Sequence, residues 1–201
     1  MSHRLGGEGI VLASTSASRK AMLESAGVQF TARSPAVDER ALEAEMAGAE
    51  AGEIAQALAA AKAAAITDAG DRLVLGSDSL VEAGGRRFDK PRTRAEAAEH
   101  LRFFSGQVMT LHSAAALARG GRIVWIGSDH ARLQVRDLSE GFIEAYLDAE
   151  WPAVAACVGV FRIEGPGVNL FRSIAGDQFT VLGMPLLQVL AALRDEGVLP
   201  A

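Results

Sequence analysis

The 201-residue chain is poor in several residue types: it holds one cysteine, one tyrosine, two tryptophans, four histidines and only three lysines against seventeen arginines. A single Cys157 cannot close an intramolecular disulfide, so the fold must stand on its core, and a reducing compartment, by default the cytoplasm, is expected. The apolar runs at residues 10–13 and 153–161 fall short of the roughly 20 residues that a bilayer span requires. The first residues also lack the apolar stretch of a secretory signal, so a soluble, untargeted chain is expected. A net charge of −5 gives no overall positive field to attract nucleic acid or an anionic membrane. His3, His100, His112, His130 and Cys157 show no zinc spacing, so any metal is expected to be a hard, oxygen-bound cation. GxxxxGK[ST], GxGxxG and GxSxG are all missing, which removes the main signals for a P-loop, a dinucleotide fold and an α/β-hydrolase.

What is present suits one α/β domain over residues 1–201, with 49% hydrophobic and 22% charged residues and no repeats or linkers. Gly9–Ala13 reads as a buried strand entering the polar cluster Ser14-Thr15-Ser16-Ala17-Ser18. Arg19–Ala26 reads as a helix ended by Gly27, and Val28–Ser34 as a second strand stopped at Pro35. Ile54, Leu58, Ala61 and Ala65 form the stripe of a longer, alanine-rich helix, with Lys62 at its border. Arg72–Gly76 reads as a buried strand that ends in Ser77-Asp78-Ser79, and residues 93–104 and 139–149 as helices. Val108–Leu117 and Ile123–Val135 flank Gly120-Gly121, the signature of a long hairpin. Pro185 opens a last helix and Gly197 closes it.

Three placements invite chemistry. The loop Ser14–Ser18 offers hydroxyls and helix N-terminal N–H groups to an anion, or merely supplies a serine cap. Arg19 and Lys20 occupy a first turn where the helix dipole disfavours cations by roughly 0.3–1 kcal/mol each, a penalty that a bound polyanion reverses. Asp78 directly follows an apolar strand, where a carboxylate is costly without a partner or a role. Asp38-Glu39, taken in isolation, reads as dipole-favoured first-turn acids.

Taken in order, LASTSASRKAML (12–23), VDE (37–39), LAAAKA (58–63), GSD (76–78), DKP (89–91), SG (105–106), EGPG (164–167) and GMPL (183–186) resemble the Maf family of nucleotide pyrophosphatases over roughly residues 9–196. The resemblance implies an α/β fold with a central mixed sheet flanked by helices, of the Maf and inosine triphosphatase type. It further implies two lobes with a cleft between them, frequent homodimers, and hydrolysis of a nucleoside triphosphate to monophosphate and pyrophosphate with Mg²⁺ or Mn²⁺. Carried over by position, Ser14, Ser16, Arg19, Lys62 and Lys90 would bind phosphates, Asp78 would be the general base, and Glu39 with Asp78 would hold the metal. Ser18, Ser79 and Glu164 fall where the family discriminates bases. Ala17 replaces a usual proline, and Ser18 replaces an arginine or, in one subgroup, a tryptophan. A carboxylate at Glu164 can accept two hydrogen bonds from the guanine edge, whereas a glutamine amide suits uracil or thymine, so guanine-type substrates are favoured; GSD followed by a non-threonine and FRIEGPGVNLF (161–171) resemble the 7-methyl-GTP subgroup, which implies 7-methyl-GTP as the substrate. The alternatives are a dTTP/UTP-type enzyme of the same family and a non-catalytic nucleotide-binding regulator.

Overall fold

The computed structural model describes residues 5–200, with side chains from residue 9 onward; His3 therefore lies outside the described residues. A seven-stranded mixed sheet runs in the order β2-β1-β3-β5-β6-β7, with the short β4 paired to β3. The strands are β1 (Leu5–Ala13), β2 (Val28–Arg33), β3 (Val74–Ala83), β4 (Arg86–Phe88), β5 (Val108–Arg119), β6 (Arg122–Val135) and β7 (Phe171–Ala175). Parallel pairing joins β1 to both β2 and β3, whereas β3–β4 and β6–β7 are antiparallel. The helices are α1 (Ala17–Ser25), α2 (Glu39–Glu45), α3 (Ala51–Ala64), α4 (Arg94–Phe104), α5 (Glu140–Glu150), α6 (Gln178–Val181) and α7 (Leu186–Asp195). Among the described residues no helix is long and apolar enough to cross a membrane.

The chain divides into two compact units. The first comprises the residues up to Ser79, Ser113–Asp129 and those from Gly183 onward. Its centre is β1, where Val11, Leu12 and Ala13 are wholly buried. Parallel strands flanked on both sides carry continuous apolar runs, which is why this segment shows no alternation. Helix α3 lies directly against β3: a Cβ at Gly76 would overlap the Ala59 carbonyl oxygen and the Ala63 amide nitrogen. A capping box between Glu50 and Glu53 starts α3. Its buried face is Ala51, Ile54, Ala55, Leu58, Ala59, Lys62 and Ala63. The expected stripe through Ala61 and Ala65 is thus rotated, and Lys62 belongs to the buried face rather than its border.

The second unit holds Leu80–His112 and His130–Leu182. Its core joins Val81, Phe88, Leu101, Phe104, Leu133 and Leu147. Thr93 and Ser139 cap α4 and α5 through side chains that accept from the N3 amides of Glu96 and Phe142. Arg94 pairs with Glu144 and Asp148, and Arg102 with Glu140, across the outer faces of these helices. Such exposed pairs contribute about 0–1 kcal/mol each. Buried within, the Tyr146 hydroxyl donates to the Val160 carbonyl at 2.9 Å. Val160 itself stands at φ +56°, a left-handed conformation that a β-branched residue seldom adopts.

Candidate active site

In the first unit, β1 hands the chain to α1 through the serine loop. Ser16 is the N-cap of α1 and its Oγ accepts from the Arg19 amide at 3.5 Å. The same Oγ lies 3.0 Å from Ser18 Oγ, and the Ser16 amide donates to Ser14 Oγ at 3.2 Å. The plain capping role of Ser16 is therefore present, and Ser14 stiffens the approach to it. The remaining first-turn N–H groups of α1 have no partner within the helix, which leaves donors and a partial positive charge for an anion.

Arg19 folds back from this turn. Its Nε donates to the Gly183 carbonyl at 3.0 Å, Nη2 to Ser79 Oγ at 3.2 Å and Nη1 to Ser14 Oγ at 3.4 Å. Burial lowers the Arg19 pKa from the ordinary arginine value, while the charges of Asp78 and Glu39 push it back up. Guanidinium remains charged throughout. A cation that sequence position alone made costly is thus held ready by neutral oxygens, with carboxylates near enough to act on it.

Strand β3 continues to Ala83, so Ser77, Asp78 and Ser79 lie inside a strand rather than after its end as expected. This changes their geometry, because successive strand side chains leave on opposite faces. Asp78 shares the face of Gly76 and meets α3, where Lys62 Nζ lies 2.5 Å from its Oδ1. Ser77 and Ser79, on the other face, donate to the Gly183 carbonyl at 3.2 and 2.9 Å. Lys62 Nζ also reaches Glu39 Oε1 at 2.9 Å. Glu39 opens α2 behind the Asp38 cap and is half exposed, whereas the Lys62 and Asp78 side chains are buried. Two carboxylates from different elements therefore converge on one ammonium. Hard oxygen donors of this kind, one or two in number and completed by phosphate oxygens and water, suit Mg²⁺ or Mn²⁺. Among the described residues no cluster of three His, Cys, Asp or Glu side chains forms a cage of its own.

Lys90 and Glu164 belong to the second unit, and both are exposed. Burial raises the Cys157 thiol pKa; Glu164 raises it further, while Arg162 and Lys90 lower it. Glu164 sits in a tight turn: the Gly165 amide donates to the Arg162 carbonyl, and a Cβ at Gly167 would overlap the Arg162 backbone. Arg162 is clamped by the buried Glu150 carboxylate through Nε at 2.9 Å and Nη2 at 3.0 Å. Sequence reasoning missed Ser77, Ser113, Gly183 and the Glu150–Arg162 pair as parts of these sites. Only Gly183 carried a signal, as the first residue of GMPL.

Over 195 residues the chain is 44% identical to the 7-methyl-GTP pyrophosphatase of Rhizobium meliloti (strain 1021), spanning 96% of this chain and 98% of that protein. It is 43% identical over 195 residues to the nucleoside triphosphate pyrophosphatase of Nitrobacter winogradskyi, covering 96% of each. It is also 41% identical over 190 residues to the 7-methyl-GTP pyrophosphatase of Brucella suis biovar 1, covering 93% of this chain and 96% of that one. The HAM1 protein of Coxiella burnetii superposes only loosely, with a TM-score of 0.38 at 18% identity over 63% of this chain and 72% of that one. The family model described as Maf-like protein matches residues 9–196, nearly the full length, and the chain belongs to the Maf family.

Proposed function

We propose that the chain is a metal-dependent nucleoside triphosphate pyrophosphatase that releases pyrophosphate and a nucleoside monophosphate, with 7-methyl-GTP as its preferred substrate. The observation that carries this reading is the convergence of Asp78 and Glu39 on Lys62 in the unit where Arg19 is held by Gly183, Ser79 and Ser14. Nearly full-length similarity to proteins named for this activity supports it.

Glu39 and Asp78 would hold Mg²⁺ or Mn²⁺, which supplies charge neutralisation at the triphosphate. The α1 N-terminus and Arg19 bind phosphate oxygens, and Lys62 and Lys90 add positive charge. Asp78 takes the proton of the water that attacks the α-phosphorus, the bond to the bridging oxygen breaks, and that oxygen leaves with pyrophosphate. No covalent intermediate is needed. Glu164, a pure acceptor in an exposed turn, accepts from the N1–H and exocyclic amine of a guanine edge. A panel of canonical and methylated triphosphates with Mg²⁺ or Mn²⁺, assayed for pyrophosphate, tests the proposal. Orthophosphate as the first product, or no turnover of any triphosphate, would overturn it.

A further inference from the structure

We infer that the Glu150–Arg162 ion pair is a specificity device of the second unit: it positions Glu164 against the base edge by fixing the turn that carries this carboxylate. The role rests on the functional reading of Glu164 above, whereas the contacts behind it are present with or without a substrate.

Sequence position makes Glu150 a costly residue. It is the last residue of α5, where the helix dipole disfavours an anion, and it is only 4% exposed. A buried carboxylate in such a place needs a cation with good geometry. Arg162 supplies it with two prongs, Nε donating to Oε2 at 2.9 Å and Nη2 to Oε1 at 3.0 Å. Two parallel bonds fix the plane of the guanidinium as well as its distance, which a lysine cannot do.

The turn around Glu164 is built on this same Arg162. The Arg162 carbonyl accepts from the Gly165 amide at 3.2 Å and so closes the turn through Ile163 and Glu164. Further on, Gly167 presses on the Arg162 backbone: a Cβ there would stand 2.5 Å from the carbonyl oxygen and 2.8 Å from the amide nitrogen. A Cβ at Gly165 would meet the ion pair itself, 3.7 Å from Arg162 Nη2 and 3.8 Å from Glu150 Oε2. The chain after Glu164 therefore rests on the Arg162 backbone and on the two paired charges. Glu164 is exposed, so its placement comes from the backbone that bears it. Tyr146, one turn earlier on α5, holds the chain ahead of this turn through the Val160 carbonyl and does not engage Arg162.

Relaxing the ion pair should misplace the acceptor. In Glu150→Gln the ratio of kcat/KM for 7-methyl-GTP over UTP should fall about five- to ten-fold, carried by KM for 7-methyl-GTP. Arg162→Lys keeps a cation beside Glu150, and with it the fold, but has no fork and should lower the ratio likewise. On a Glu164→Gln background, Glu150→Gln should move the ratio by less than about two-fold, because no pure acceptor remains to position. Tyr146→Phe is the control for mere loss of stability and should keep the parent ratio. A parent-like ratio in both Glu150→Gln and Arg162→Lys, an equal fall in Tyr146→Phe, or an undiminished Glu150→Gln effect without Glu164 overturns the proposal. Hydrogen exchange of the Gly165 amide, followed by NMR, reads the turn without turnover. It should be several-fold faster in Glu150→Gln, and parent-like exchange overturns the proposal whatever the kinetics show. If Glu164→Gln alone leaves the ratio unchanged, the functional reading of Glu164 fails, and the exchange measurement still decides whether the ion pair holds the turn.

Discussion

Lys62 Nζ stands 2.5 Å from Asp78 Oδ1 with both side chains buried, so an α3 cation and a β3 carboxylate form one unit although 16 residues separate them. Removing either charge strands the other, and the two removals should differ. Asp78→Asn keeps the shape, cannot accept a proton, and leaves Lys62 its Glu39 partner; turnover should fall by at least about 100-fold with little loss of fold. Lys62→Met leaves Asp78 buried without its cation and should destabilise by about 3–5 kcal/mol in urea unfolding, besides losing activity. Near-parent pyrophosphate release by Asp78→Asn would remove Asp78 from the base role.

Arg19→Ala and Lys90→Ala should each cost about 2–4 kcal/mol in kcat/KM if both meet charge developing on the triphosphate. Parallel steady-state assays decide, and retention within a few-fold of the parent by both would dismiss the phosphate-binding roles.

Glu164→Gln should shift the ratio of kcat/KM for 7-methyl-GTP over UTP by about 1–3 kcal/mol toward the pyrimidine, because an N–H then opposes an N–H. An unchanged ratio would mean that Glu164 does not touch the base.

Loss of the Tyr146 hydroxyl in Tyr146→Phe leaves the carbonyl of the fully buried, strained Val160 without its donor. A loss of about 1–3 kcal/mol is expected from chemical unfolding, with pyrophosphate release per folded molecule retained.

His100 gives a pH dependence whose sign follows from burial. Its imidazole packs against Phe88 and Phe104, its Nδ1 is buried without a hydrogen-bond partner, and burial lowers its pKa from the ordinary 6.5. The unfolded chain therefore takes up this proton more readily than the folded one. The stability linked to neutral His100 is complete above pH 6.5 and declines as pH falls through the lower folded value. Thermal melts from pH 7.5 to 5 should show a smaller decline for His100→Phe than for the parent, by about 1–3 °C. Superimposable pH profiles would count against it.

The hairpin at Gly120-Gly121 and the early strand–loop–helix were legible because each is written in adjacent residues: both glycines have positive φ, and α1 follows its serine cap. The end of β3 was misread because Ser77-Asp78-Ser79 looks like loop chemistry. In the folded chain those polar groups find Gly183 and Lys62, partners that no local window contains. Strands β4 and β7 escaped notice for the opposite reason: three and five residues, mostly exposed, acquire strand character only from the neighbour they pair with. The resemblance singled out Glu39, Lys62 and Asp78, which the structure brings together. Ser113, one serine in a strand of alanines, gave no sign of its contact with Ser79 until β5 was placed beside β3.

The contact of Gly76 with Ala59 and Ala63 gives the bland composition of α3 a different meaning. Lys62 and Asp78 meet only because helix and strand approach backbone to backbone, so these three small residues set the distance between two charges as a machinist's shim sets a gap. A library randomised at 59, 63 and 76 should accept little beyond glycine, alanine and serine, and the survivors should partition by turnover rather than by solubility. Mutational tolerance mapped along residues 51–78 would then outline the Lys62–Asp78 pair from positions that bear no chemistry of their own.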